Sequence, residues 1–219
     1  MRSTWDALAS DADVFAGDPA RGKSELEALF GRLGADPRGG TCVEVGCGPG
    51  RITRHLVDRF DRVLALDVSP AMLEQAEANA PTAEFRLVAG EGLDGVDDSV
   101  ADVLVCYLVL QHLPRRELVV HFLAEFARVL KPTGEAFVQL PILDPGVPAR
   151  AWRALRSALV PLTQFRGPTS TAAFRGYRLA ADELERGVVA ARLRVVARDT
   201  GPDAPYRFSH DVFLRLGRA

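Results

Sequence analysis

The chain has almost no lysine: of 27 basic residues, only Lys23 and Lys131 are not arginine. A GC-rich coding sequence accounts for that bias without invoking a partner. Cysteine is also scarce. Cys42, Cys47 and Cys106 make an odd count with no Cys-x-x-Cys, and all three lie in or beside apolar runs. That excludes a disulfide framework and makes a reducing cytoplasm the expected compartment. No apolar run is long enough to cross a membrane, which takes about 20 residues. The longest, Val100 to Leu110, is interrupted by Asp102. The first eleven residues carry acids and lack an apolar core of signal-peptide length. There is no His-x-x-x-His and no Cys/His cluster, and Asp97-Asp98 suits a turn better than an ion cage, so no metal is expected. Nor is there an excess of positive charge: 27 basic against 29 acidic residues leave a net of −2, which argues against nucleic acid as the partner.

What remains is an ordinary soluble composition, 47% hydrophobic over 219 residues, enough for one domain with its own core. Its charge is uneven. Residues 1–144 hold 14 basic and 23 acidic side chains, and residues 145–219 hold 13 and 6. Apolar spacing predicts helices around Trp5, Leu8 and Ala9 and through Leu26, Leu29, Phe30 and Leu33. Strands and helices then alternate. Strands are expected at Thr41–Val45, Arg62–Leu66, Phe85–Val88, Ala101–Val109 and Glu135–Leu140. Helices are expected at Ile52–Phe60, from Pro70 behind a Ser69 cap, and over Pro114–Leu130, with a turn at Lys131–Gly134. Such alternation implies a parallel sheet covered on both faces. Pro141–Gly176 breaks the rhythm and reads as an insertion with a helix at Ala149–Leu159. A helix at Ala181–Ala190 and strands at Arg192–Arg198 and Tyr206–Leu216, suited to a hairpin, close the chain. The expected organisation is one domain over 1–219: a helical cap (1–40), a ligand-binding core (41–140), a lid (141–180), and a closing helix and hairpin (181–219).

The sharpest segment is Val43-Glu44-Val45-Gly46-Cys47-Gly48-Pro49-Gly50-Arg51, at the first strand-to-helix junction. Glycines there let the backbone turn tightly and approach a ligand, beside the free amides of a helix start. Counted from Gly46, the third glycine of a dinucleotide fingerprint would fall on Arg51, so a pyrophosphate site fits poorly. The Gly-Lys-Ser/Thr of a mononucleotide loop is absent.

Glu44-x-Gly46-x-Gly48-x-Gly50 instead resembles motif I of the class I S-adenosylmethionine-dependent methyltransferases, and further landmarks follow in order. Asp67, in Leu66-Asp67-Val68-Ser69-Pro70-Ala71-Met72, resembles the acidic ribose-binding position, where two acceptor oxygens suit two vicinal hydroxyls. Gly90-Glu91-Gly92 matches the loop whose acid accepts from the adenine amino group. Asp97–Asp102, Leu110–Leu113 and Val129–Glu135 match the stretches around strands four and five, with Val100 in place of Phe and Thr133 in place of Gly. The resemblance covers about Thr41 to Leu140. It implies an α/β, Rossmann-like doubly wound sheet of seven mostly parallel strands with the last antiparallel. It also implies S-adenosylmethionine as cofactor, leaving as S-adenosylhomocysteine, held by Glu44, Gly46, Cys47, Gly48, Asp67, Val68, Met72, Glu91, Gly92 and the backbone of Cys106. Each has a plainer reading: Glu44 as a strand-end acid, Glu91 as a loop acid, Met72 as core, Cys106 as a small hydrophobe.

The acceptor lies outside the resemblance. Of four histidines, only His112 follows the strand whose end borders the reaction centre. A pKa near 6.5 suits a base at neutral pH, while pocket-lining and purely structural roles remain open. Trp5, Tyr107, Trp152, Phe165, Phe174 and Tyr177 are either core plugs or acceptor contacts. Arg150, Arg153, Arg156, Arg166, Arg175 and Arg178 concentrate in the insertion, either as a solvated basic face or as a site for an anionic acceptor. The expected protein is a monomeric or homodimeric cytoplasmic enzyme that methylates oxygen or nitrogen of a small molecule. A non-catalytic cofactor-binding protein and an RNA or protein methyltransferase are the rivals. The basic last third is the only support for nucleic acid.

Overall fold

The computed structural model describes residues 5, 6, 9, 19–148, 151, 176–201 and 209–219. Along the chain run α1 (Pro19–Arg32), β1 (Thr41–Val45), α2 (Thr53–Leu56), β2 (Arg62–Asp67), α3 (Pro70–Asn79), β3 (Glu84–Leu87), β4 (Ala101–Cys106), a 3-10 turn (Leu110–His112), α4 (Arg116–Val129), β5 (Leu130–Leu143), α5 (Ala181–Ala190), β6 (Leu193–Thr200) and β7 (Ser209–Arg218). The seven strands form one sheet in the order β3-β2-β1-β4-β5-β7-β6. The first five pair in parallel, and β7 lies antiparallel between β5 and β6. This is the expected doubly wound sheet with an antiparallel last strand.

Period-two alternation divides the core between the two faces. Cys42, Val63, Val103, Val105 and Phe137 pack with Leu26, Leu29, Phe30 and Leu33 of α1 and Leu56 of α2. Their neighbours Val43, Val45, Leu64, Leu66, Leu104 and Val138 pack with Phe122, Leu123 and Phe126 of α4 and Leu184 and Val188 of α5. Lys23, Glu27 and Arg32 of α1 and Glu117 and His121 of α4 fall on the exposed faces. Ser69 caps α3, its hydroxyl accepting from the Met72 amide at 3.2 Å, with Pro70 in the first turn.

Several boundaries differ from expectation. The helix expected at Ile52–Phe60 is a four-residue α2. Beyond Leu56, the amides of Arg59 and Phe60 both turn onto the Leu56 carbonyl, which closes the chain and buries Phe60. β4 ends at Cys106 instead of Val109, because Leu108 takes a φ of +59° and leaves the ladder. The turn at Lys131–Gly134 is an irregularity inside β5: Ala101 pairs with Leu130, and Val103 next with Glu135. β5 also continues through Pro141 to Leu143, opposite Asp211, His210 and Ser209, so the insertion begins later than Pro141. Its other end, 176–179, is tied back to the sheet by a bridge between Leu179 and Ile142. The helix expected at Ala149–Leu159 and the strand start at Tyr206 lie outside the described residues, although Ala151 is helical.

Candidate active site at the carboxyl ends of β1, β2 and β4

β1 and β4 are neighbours whose chain connections leave in opposite directions, and a cavity opens there beyond the strand ends. Its floor is the turn after β1. The amides of Gly46 and Cys47 both donate to the Leu66 carbonyl (2.8 and 2.9 Å), joining this turn to β2. Gly46 has a φ of +73°, and a Cβ there would strike Val109, so β4's loop can close over the turn only because residue 46 is glycine. A Cβ on Gly48 would meet nothing within 4 Å, and Gly48 lines the cavity: the turn offers bare backbone to a ligand.

Two carboxylates face this cavity in different ways. Asp67, at the end of β2, receives the Gly48 amide on Oδ2 and the Ser69 amide on Oδ1, both at 2.9 Å. Burial nevertheless raises its pKa against those bonds. Glu44 is 4% exposed and accepts a 2.6 Å hydrogen bond from the Thr53 hydroxyl at the start of α2. Burial pushes its pKa up to about 7, with Asp67's charge adding to the rise and Thr53 and Arg51 opposing it. Arg51 lines the same cavity, but its guanidinium is engaged by Glu25 of α1 at 2.6 Å.

The opposite wall is the loop after β4, which supplies Tyr107, Leu108, Val109, Gln111, His112 and Leu113. It is pinned at three points. The Leu108 amide donates to Gln139 Oε1 (3.0 Å), and Gln139 donates in turn to Asp211 of β7 (2.8 Å). Arg178, 4% exposed, donates to the carbonyls of Gln111 (2.9 Å) and Gly176 (3.2 Å). The Tyr177 amide donates to the Leu113 carbonyl (2.6 Å). Arg178 therefore belongs to the scaffold rather than to a solvated basic face; the insertion's other arginines lie outside the described residues, as do Trp152, Phe165 and Phe174. His112 Nε2 lies 3.1 Å from the Gln111 amide nitrogen, which can only donate.

Trp5 closes the remaining side, lining the cavity and packing against His112. The segment carrying it is fastened to α3: Ser69 Oγ donates to Asp6 (2.6 Å), and Gln75 Nε2 donates to the Ala9 carbonyl (2.8 Å).

Of the residues singled out in the sequence, the cavity gathers Glu44, Gly46, Cys47, Gly48, Asp67, Val68, Met72 and His112. It does not gather Glu91, Gly92 or Cys106. Glu91 is exposed: Gly90, at φ +87°, turns the chain so that Gly90 and Leu93 face the cavity instead. The Leu93 amide is held by Glu125 of α4 (3.0 Å), and Gly92 packs beside His121. Cys106 is fully buried in the α4-side core. Sequence reading missed Thr53, whose signal was a hydroxyl at a helix start nine residues after a strand-end acid. It also missed Gln139 and Asp211, which no local pattern connects. Among the described residues, no group of three or more His, Cys, Asp or Glu side chains could hold a metal, and no helix is long and apolar enough to cross a membrane.

Comparison with known proteins agrees with this geometry. Residues 43–138 match the sequence model of the family described as "Methyltransferase domain". The trans-aconitate 2-methyltransferase of Methylobacterium nodulans is 37% identical over 139 residues, covering 63% of this chain and 50% of that protein. The ubiquinone biosynthesis O-methyltransferase of Xanthomonas axonopodis is 26% identical over 138 residues, covering 61% and 54%. The chain thus spans about half the length of the curated relatives it matches. A solved S-adenosylmethionine-dependent methyltransferase of Leishmania major superposes with a TM-score of 0.68 at 15% identity, covering 98% of this chain and 80% of that one. Residues 43–138 thus match a methyltransferase domain, and the seven-stranded sheet that carries the glycine turn is the fold of solved S-adenosylmethionine-dependent methyltransferases.

Proposed function

We propose that the protein transfers a methyl group from S-adenosylmethionine to oxygen or nitrogen of a small-molecule acceptor. The observation that carries this reading is a single cavity with two unlike walls: a glycine turn flanked by two carboxylates on one side, and a ring-lined wall of Trp5, Tyr107 and His112 on the other. The first wall fits the cofactor. Gly46, Cys47 and Gly48 bring bare backbone to it, and Asp67, its oxygens held by the Gly48 and Ser69 amides, presents its remaining acceptor capacity to a ribose diol. Val68 and Met72 give an apolar rest for adenine, and Glu44 faces the ammonium group of the amino-acid end. The cofactor supplies a methyl on a sulfonium, already electrophilic, so the chain's own task is alignment and exclusion of water.

The second wall fits the acceptor. Tyr107 and Trp5 would hold a small apolar or aromatic body. His112 would take the acceptor's proton once the Gln111 amide leaves Nε2. The cavity lining carries this reading without Glu91, Gly92 or Cys106.

The test is methyl transfer from tritiated S-adenosylmethionine across a panel of carboxylates, phenols and amines. Trans-aconitate belongs in the panel because a relative carries its name. Incorporation into one class supports the proposal. Tight S-adenosylhomocysteine binding without incorporation into any acceptor would favour a non-catalytic cofactor-binding protein.

A further inference from the structure

Glu44 and Asp67 face one cavity, yet their surroundings are unequal. Two backbone amides cap Asp67, at Gly48 and Ser69. Glu44 has the Thr53 hydroxyl, and both acids are almost wholly buried. The groups around Glu44 do little to neutralise it. From β1 and its turn come Cys42 and Cys47, thiols whose own ionisation is pushed up by burial first and by Glu44 second. From β2 comes Asp67, of the same sign. Arg51, the nearby cation, is shared with Glu25 of α1 at 2.6 Å, and Tyr107 of the β4 loop adds no charge at neutral pH. A lone carboxylate in such a place holds a proton until another positive charge replaces it.

We infer that Glu44 exchanges its proton for the ammonium group at the amino-acid end of the ligand, so that cofactor binding and proton release are a single linked event. The inference rests on the cofactor assignment above and goes beyond it: the site recognises a cation partly by expelling one. At pH 7 a group with a pKa of about 7 is half protonated, so about half a proton should leave per ligand bound. The proton passes to buffer.

Titration calorimetry in two buffers of different ionisation enthalpy, from pH 6 to pH 8, measures this directly. Three probes separate the contributions: S-adenosylmethionine with a sulfonium and an ammonium, S-adenosylhomocysteine with the ammonium alone, and adenosine with neither. The first two should release about half a proton at pH 7 and weaken about tenfold from pH 8 to pH 6. Adenosine should release none. Glu44→Gln should abolish the release. Thr53→Val, which removes the hydrogen bond favouring the carboxylate, should raise the release at pH 7 above the wild-type value. Equal proton release with adenosine, or release persisting in Glu44→Gln, overturns the inference. So does wild-type binding of S-adenosylhomocysteine with no release. Failure of all three probes to bind at any pH would instead remove the cofactor assignment on which it rests.

Discussion

The ring of Trp5 meets that of His112 edge to face, with centroids 4.9 Å apart and planes at 79°. Two residues more than a hundred positions apart thus share one wall of the cavity, and Trp5 packs against an imidazole that Gln111 also holds. His112→Ala should lower methyl transfer by roughly 10²-fold or more, as expected for loss of a general base. The dissociation constant for S-adenosylhomocysteine should stay near wild type. Full turnover in this variant would remove His112 from the chemistry. Trp5→Ala should act more weakly and chiefly on the acceptor's KM.

Asp67→Ala removes the acceptors assigned to the ribose and also the partners of the Gly48 and Ser69 amides. Calorimetry with S-adenosylhomocysteine should show no binding. Unchanged affinity would place the ribose elsewhere.

Stability of the ligand-free protein should fall as pH rises through neutrality. Glu44 rises from an ordinary 4.5 to about 7 on folding, and Asp67 moves in the same direction, each through burial first. A group raised in the folded state contributes its full stability below its unfolded pKa and loses it as pH passes the folded one. Glu44 alone accounts for a loss on the order of 3 kcal/mol between about pH 4.5 and pH 7. Denaturant midpoints at pH 5 and pH 8 should therefore differ more in wild type than in Glu44→Gln; equal differences would contradict the assignment.

Arg178→Met keeps the length of the side chain but removes its bonds to the Gln111 and Gly176 carbonyls. A cost of about 2–3 kcal/mol is expected, since charged hydrogen bonds of this kind contribute about 1.5–3 kcal/mol. Hydrogen exchange at the Tyr177 amide, which bonds Leu113 in the same strap, should accelerate. An unchanged midpoint with unchanged exchange would show that the strap holds without it.

Gly46→Ala should destabilise by roughly 2–4 kcal/mol, combining left-handed backbone strain with overpacking. The φ is +73° and the new methyl would strike Val109. Chemical denaturation reads the effect, and Val109→Ala should relieve part of it.

The parts of the fold and site legible in the sequence are those fixed by local backbone demands. Gly46, Gly48 and Gly50 mark a turn that no other residue makes cheaply, and Ser69-Pro70 marks a helix start. Alternation of apolar residues gave the strands and their two-sided burial. The parts not legible depend on distant partners. β4 stops where it does because Leu108 is drawn to Gln139, 31 residues away. Arg178 looks like one more surface arginine until Gln111, 67 residues earlier, supplies a carbonyl for it. The motif order that points to Glu91 is visible in a sequence, whereas its exposure off the cavity lining is not.

β7 lies between β5 and β6, and β6 has no other neighbour in the sheet. During synthesis, residues 193–200 emerge before the strand on which they must dock. Until 209–218 arrive, β5 offers an unfilled edge and β6 hangs without a ladder. The sheet is thus finished by inserting one strand between two others, and a folding intermediate that lacked β7 would carry adhesive strand edges.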